Sequence, residues 1–190
     1  MKSINILIVG VGGQGTLLAS KLMGKIFIDG GYDVKVSEVH GMSQRGGSVV
    51  TYVRAGEKVF SPVIDLGEAD VIISFEALES ARWLPYLKIG GTVISNTAKI
   101  DPMPVIMGNA EYPENVLERI EAAGVKVISA DALSLAEQAG SAKAVNIVLL
   151  GISAKVLELD YDECIAAIRA TVPPKTIEVN EKAFDLGYNL

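Results

Sequence analysis

The sequence predicts an α/β protein, Rossmann-like, with a largely parallel (mixed) sheet flanked by helices and a helical C-terminal part. Three observations carry that prediction. The β-rich run Ile4 to Val9 leads into Gly10-Val11-Gly12-Gly13-Gln14-Gly15 and then directly into a helical pattern. Short apolar, β-branched runs then alternate with helical patterns as far as Ser129. Beyond Ala132 only helical periodicity is left.

The elements follow in order. The glycine turn opens a helix from Thr16 to about Ile28, which Gly30-Gly31 stops, and Tyr32 to Val39 offers a second strand that would complete one βαβ unit. A polar, glycine-rich loop comes next. Ser48 to Arg54 and Lys58 to Phe60 read as two short strands joined at Ala55-Gly56-Glu57, a hairpin added to a sheet otherwise built by crossovers. Val71 to Phe75 is a nearly continuous apolar strand, Glu76 to Tyr86 a helix, and Thr92 to Asn96 a strand that starts after a Gly90-Gly91 stop. Pro102, Pro104 and Pro113 punctuate the segment before a helix at Glu114 to Ala123 and a strand at Val125 to Ser129. Asp131 is placed to cap the helix Leu133 to Ala139. Helices over Ala144 to Leu159, Tyr161 to Thr171 and Pro174 to about Leu186 complete the pattern, with Pro174 suited to a first helical turn.

Composition bounds the function. At 190 residues and 49% hydrophobic content, residues 1–190 are expected to form one domain with one substantial core. Lys and Arg total 17 against 23 Asp and Glu, a net charge of −6, which disfavours a nucleic-acid backbone as partner. The single cysteine, Cys164, falls short of the four thiolates that hold an iron–sulfur cluster and forms no internal disulfide. The apolar start lacks a cationic leader, and the stretch Ala144 to Val156 is shorter than the about 20 residues a bilayer span requires. A cytoplasmic protein without a membrane partner is the expectation.

Gly10-x-Gly12-x-x-Gly15 between strand and helix is the strongest chemical signal. Glycines permit the tight turn and let backbone N–H groups approach a phosphate at the helix N-terminus, although the same turn also serves simply to pack helix on strand. A dinucleotide site would add an acidic residue about 20 positions on. Glu38, 23 positions after Gly15, is the one nearby candidate, and it reads more naturally as an exposed strand-end carboxylate.

The second signal is His40-Gly41-Met42-Ser43-Gln44-Arg45-Gly46-Gly47-Ser48, at the carboxyl end of a predicted strand, where α/β sheets bind ligands. Arg45 is suited to a bidentate contact with a carboxylate or phosphate, and the flanking glycines let the loop close on it. A solvated connection is the plainer alternative. Histidine is the residue type suited to proton transfer near neutrality, but His40, the single histidine, has no Ser, Cys or metal-ligand partner in the pattern. Cys164 falls on an apolar helix face with Ile165 and Ile168 and reads as packing. Asn146, among apolar neighbours, needs partners and is expected to find them in backbone near the glycine loop. Trp83 and Tyr86 fit either a partner surface or, more simply, packing on the sheet.

These residues resemble a known family, the gamma-type subunits or domains of 2-oxoacid:ferredoxin oxidoreductases, and within it the small beta subunits of the indolepyruvate type. Gly-Val-Gly-Gly-Gln-Gly at 10–15 is similar to the family's N-terminal signature, and His-Gly-Met-Ser-Gln-Arg-Gly-Gly-Ser-Val at 40–49 to its second, with Arg45-Gly46-Gly47 as the shared kernel. The likeness continues through Ala69-Asp70-Val71, Gly90-Gly91-Thr92, Asn146 and Leu150-Gly151. It implies oxidative decarboxylation of a 2-oxoacid, of the indolepyruvate or aryl-pyruvate kind on the Met-Ser-Gln spelling. Thiamine diphosphate, magnesium and iron–sulfur clusters would reside in a large companion subunit, ferredoxin would be reached through it, and coenzyme A would meet this chain at the interface. No Gly-Asp-Gly start of a thiamine diphosphate motif occurs here, as a small subunit implies. Implied cofactor-binding residues are Gly10, Gly12, Gly13, Gln14, Gly15, Ser43, Gln44, Arg45, Gly46 and Gly47, with Arg45 and His40 as candidate catalytic groups. Two alternatives stay open. One is a stand-alone NAD-binding Rossmann protein or regulatory nucleotide module, and the other a scaffold whose glycine loop binds nothing.

Overall fold

The computed structural model describes residues 3–40, with His40 by its backbone alone, and residues 47–190. Six strands form one sheet in the order β2-β3-β1-β4-β5-β6. β1 (Ile4–Val11) lies near its centre, and its alternation sends Ile6 and Ile8 to one face and Leu7 and Val9 to the other, all fully buried. β4 (Ala69–Ser74), β5 (Leu87–Asn96) and β6 (Lys126–Ala130) run parallel to β1 and extend the sheet on one side.

On the other side the sequence expectation needs correction. β3 is a single nine-residue strand, Ser48–Gly56, paired antiparallel with β1 from Ile4↔Ala55 to Val11↔Ser48. β2 (Asp33–His40) pairs with its far side from Asp33↔Gly56 to His40↔Val49. The hairpin is therefore β2–β3, and residues 58–60 form no strand. Ala55-Gly56 lies inside a strand because Ala55 is completely buried between two ladders, a burial that outweighs local turn preference. β1 and β2 consequently do not touch as a βαβ pair would, since β3 occupies the place between them.

A second correction concerns Gly90-Gly91, expected to precede a strand. β5 begins earlier, at Leu87, and pairing jumps from Ala69↔Leu87 to Val71↔Thr92, a bulge that these glycines permit. Gly90 has φ +81°, and a Cβ on Gly91 would lie 2.7 Å from the Leu87 side chain and 3.0 Å from the Asp70 carbonyl oxygen.

Helices cover both faces. In α1 (Thr16–Asp29) the buried set Ala19, Leu22, Met23, Ile26 and Phe27 has the i, i+3, i+4 spacing of one stripe, and packs on the Ile6/Ile8 face. α5 (Ala132–Ala139), α6 (Val145–Val156), α7 (Tyr161–Thr171) and α8 (Ile177–Tyr188) join it there. Asp131 caps α5 as expected, accepting from the Ser134 N–H at 3.0 Å. On the Leu7/Val9 face lie α2 (Ala77–Trp83), capped by Glu76, and α4 (Val116–Ala122). The four-residue α3 (Met103–Ile106), with Pro104 in its first turn, was not legible in the pattern. α6 is buried almost all round and crosses α8 so closely that a Cβ on Gly187 would meet the Val148 carbonyl oxygen at 2.1 Å, and one on Gly151 the Phe184 carbonyl oxygen at 2.3 Å.

α1 follows β1 onto one face and α2 follows β4 onto the other, so the carboxyl ends of β1 and β4 flank a topological switch point. In open α/β sheets that crevice is where ligands bind.

Candidate functional site

The glycine loop lies at this crevice. Gly10 lies in the buried part of β1, where a Cβ would come within 2.8 Å of Gln14 Oε1 and 3.0 Å of Phe75 Cβ. Gln14 folds back between the two strands: its Oε1 accepts the Val11 N–H at 2.7 Å and its Nε2 donates to the Phe75 carbonyl at 3.0 Å. Its side-chain amide thus braces the loop against the end of β4. Gly13 has φ +103° with open space where a Cβ would stand, and Gly15, φ +87°, precedes α1 with no side-chain cap. The first-turn N–H groups of α1 therefore have no side-chain acceptor, which is the arrangement that favours an anion.

The two sequence motifs meet here. The Gly12 N–H donates to the Gly47 carbonyl at 2.9 Å, joining the glycine loop to the residue that ends the β2–β3 connection. Of the predicted site, Gly10, Gly12, Gly13, Gln14, Gly15 and Gly47 come together at the carboxyl edge. Ser43, Gln44, Arg45 and Gly46, with Gly41, Met42 and the His40 side chain, lie outside the described residues.

A cavity of about 400 Å³ opens beside the loop, lined by Gly12, Gly13, Gly15, Thr16, Leu17, Glu38 and Val49. Glu38 is not the exposed strand-end carboxylate expected from sequence. It is half-buried, and one carboxylate oxygen is covered without a hydrogen-bond partner. Because β3 intervenes, Glu38 stands two strand spacings, about 10 Å, from β1. In a dinucleotide fold the ribose-binding acid ends the strand beside β1. A second cavity, about 500 Å³, lies against the same loop and is lined by Gly13, Gln14, Gly15, Asn96, Ala98, Leu133, Ala142, Lys143 and Val145. Asn146 supports the loop from below as expected: 5% exposed, it donates through Nδ2 to the Gly15 carbonyl at 3.3 Å.

Sequence reasoning missed Lys143, Asn96 and Glu79. Asn96 ends β5 at the same edge, accepting the Ala132 N–H at 3.1 Å and donating to the Phe75 carbonyl at 3.3 Å. Glu79, in the first turn of α2 and 4% exposed, accepts from Ser48 Oγ at 2.5 Å, Trp83 Nε1 at 3.2 Å and Arg82 Nε at 3.0 Å. A polar residue closing an apolar strand was the signal for Asn96. Glu79, between Leu78 and Ser80 in a helix, gave none.

The rings of Trp83 and Tyr86 meet at a tilt, 5.1 Å between centroids, and pack half-buried against the second core, the simpler of the two expectations. Cys164 is buried in the main core, where desolvation, and then Asp160 and Glu163, push its thiol up to about 12. Among the described residues no group of three or more His, Cys, Asp or Glu is placed to hold a metal ion, and no helix is long and apolar enough to cross a membrane.

Fold and site together define a Rossmann-like α/β protein whose glycine turn after β1 is hydrogen-bonded to Gly47, just before an inserted antiparallel strand. The chain belongs to the pyruvate ferredoxin/flavodoxin oxidoreductase family, whose model matches residues 5–190. It is 47% identical over 192 residues to the indolepyruvate oxidoreductase subunit IorB of Thermococcus kodakarensis, covering 98% of this chain and 95% of that one. Among solved structures, the keto/oxoacid ferredoxin oxidoreductase gamma subunit from Geobacter sulfurreducens superposes with a TM-score of 0.73 at 22% identity, covering 98% of this chain and 96% of that one. The 2-oxoglutarate:ferredoxin oxidoreductase from Magnetococcus marinus matches all of this chain over 32% of its own, with a TM-score of 0.75 and 19% identity. At these identities the structural likeness speaks for the fold. The family resemblance carried by the two glycine motifs is thereby met.

Proposed function

We propose that the chain acts as the small subunit of an indolepyruvate or related aryl-pyruvate ferredoxin oxidoreductase in the cytoplasm. In this reading residues 1–190 form one unit that docks on a large subunit holding thiamine diphosphate, magnesium and the iron–sulfur clusters, through which electrons reach ferredoxin. The similarity to the indolepyruvate subunit along nearly the whole chain supports the substrate class. The observation that supports the site is the Gly12 to Gly47 hydrogen bond, which ties the glycine loop to the residue that follows the arginine-bearing segment in the chain.

The residues present fit the phosphates of coenzyme A. An uncapped helix N-terminus, an open Gly13 and Lys143 in the second cavity supply backbone donors and a cation, while Glu38 in the first cavity suits a hydroxyl or amide donor of the ligand rather than a phosphate. Coenzyme A so bound would supply the thiol that takes the acyl group. The chain's own part in this reading is to hold it, with Arg45 as a cation for its negative charge. Co-purification tests the assembly: the expected partner is a large protein bearing thiamine diphosphate and iron–sulfur clusters. In the assembled complex Arg45→Ala should lower turnover or coenzyme A affinity at least tenfold, and unchanged values for both would remove the assignment. Oxidation of a substrate by the isolated chain with NAD would favour the stand-alone reading instead.

A further inference from the structure

We infer that α3 and the segment that carries it form a docking surface for the large companion subunit, an inference that rests on the function proposed above. From Pro102 to Ala110 the chain runs without a charge, Pro-Met-Pro-Val-Ile-Met-Gly-Asn-Ala, in a protein of which 21% is charged. Met103, Ile106 and Met107 are 61%, 66% and 63% exposed, and neither core takes up any of them. Single exposed apolar side chains are ordinary. Three so close together, with Ile100 exposed as well, make a patch of the kind that marks an interface.

The patch is held in place. α3 closes on itself, the Met107 N–H donating to the Met103 carbonyl at 2.9 Å and the Asn109 N–H to the Pro104 carbonyl at 2.8 Å. Both feet of the excursion are pinned by one carboxylate: Glu76, fully buried, accepts the Ile100 N–H at 3.0 Å and the Tyr112 hydroxyl, while its other oxygen accepts the Glu79 N–H at 2.9 Å in the first turn of α2. A buried carboxylate is destabilising unless its hydrogen bonds are met, and here they fix the shape of a segment whose helix has no buried residue of its own. A surface so preorganised loses little conformational entropy when a partner covers it.

Its place selects the occupant. Ile100 and Tyr112 meet Glu76 just past the carboxyl end of β4, so the patch stands at the edge where the second cavity opens. Ala98, at the start of the excursion, lines that cavity together with the exposed Leu133. The companion's reacting groups have to reach this edge, whereas a second copy of the chain seated there would shut them out. Asp101, Glu111 and Glu114 are exposed and flank the patch in the chain, and Lys99 lies over the Tyr112 ring at 5.9 Å. The fitting partner surface is therefore an apolar recess bordered by Lys or Arg.

The experiment uses the large protein that co-purifies with the wild-type chain and carries thiamine diphosphate and iron–sulfur clusters. Its affinity is measured for wild type, Ile106→Glu, the double variant Met103→Glu with Met107→Glu, and a control, Phe60→Glu. Phe60 is 85% exposed and lies between β3 and β4 at the opposite, amino edge of the sheet. Affinity should fall at least tenfold in both α3 variants and stay unchanged in Phe60→Glu, with every variant melting within about 3 °C of wild type. Without any substitution, hydrogen peroxide should oxidise Met103 and Met107 in the isolated chain and spare them in the complex, as read by peptide mass, while the buried Met23 is spared in both. Wild-type affinity in the α3 variants, an equal loss in Phe60→Glu, or equal oxidation of Met103 and Met107 in the complex would overturn the docking surface and leave the proposed function standing. Self-association of the wild-type chain that Ile106→Glu abolishes, with companion binding intact, would give the surface to a second copy and also end the proposal. If no such large protein co-purifies, the proposed function fails and this surface with it.

Discussion

Gly187→Ala should be among the most damaging single-methyl changes in this chain. The added Cβ would sit 2.1 Å from the Val148 carbonyl oxygen, 2.9 Å from its carbon and 3.2 Å from the Ile152 nitrogen, all backbone atoms of α6. No rotamer change relieves a clash with a helix backbone. To restore an ordinary contact α8 must back away by more than about 1 Å, loosening the buried Ala183 and Phe184 from the main core. Overpacking typically costs about 1–3 kcal/mol, and an obstacle made wholly of backbone belongs at the upper end, about 3 kcal/mol. For a chain of this size that lowers Tm by roughly 6–12 °C. Thermal and urea unfolding followed by circular dichroism measure it, with the urea slope expected to stay constant. The control is Gly108→Ala, where φ is +73° but nothing lies within 4 Å, so only backbone strain of about 1 kcal/mol applies. If Gly187→Ala proves no worse than Gly108→Ala, the close crossing of α6 and α8 is not as described.

Three further outcomes are expected. Gly10→Ala would displace the Gln14 side chain from Val11 and Phe75, lowering stability by about 1–3 kcal/mol in the same assay. Tyr112→Phe removes the hydroxyl that donates to the buried Glu76 and accepts the Leu78 N–H at 3.1 Å, and urea titration should show a loss of about 1–2 kcal/mol. Cys164 favours its protonated form in the native state, with its thiol raised from 9.0 to about 12. Its contribution is therefore complete below pH 9 and is lost as pH rises toward 12, so the alkaline loss of stability should be shallower in Cys164→Ala. The native thiol should also resist a maleimide at pH 8 until the chain unfolds.

Periodic elements were legible where one side of the residue pattern alone decides them. α1 and α7 start where expected because a glycine turn and Asp160 fix their N-termini. Asn146 was placed correctly, since a buried amide in an apolar helix has to find backbone. The β2–β3–β1 order was not legible, because a strand covered on both edges hides a glycine that elsewhere would turn the chain. Glu38 was misjudged for a related reason: position at a strand end says nothing of a cavity formed by the neighbouring helix start. Glu79 depends on Ser48, 31 residues away, a contact that only the tertiary fold creates.

The reversed strand also has an evolutionary corollary. Since β2 and β3 leave and re-enter the sheet at paired positions, His40 opposite Val49, the stretch between them can change length or spelling while the sheet stays in register. One residue added within β3 itself would instead turn its buried side chains outward against two neighbours at once. Changes of length between the two strands can therefore be absorbed outside the ladders, while the slab that carries them stays the same length.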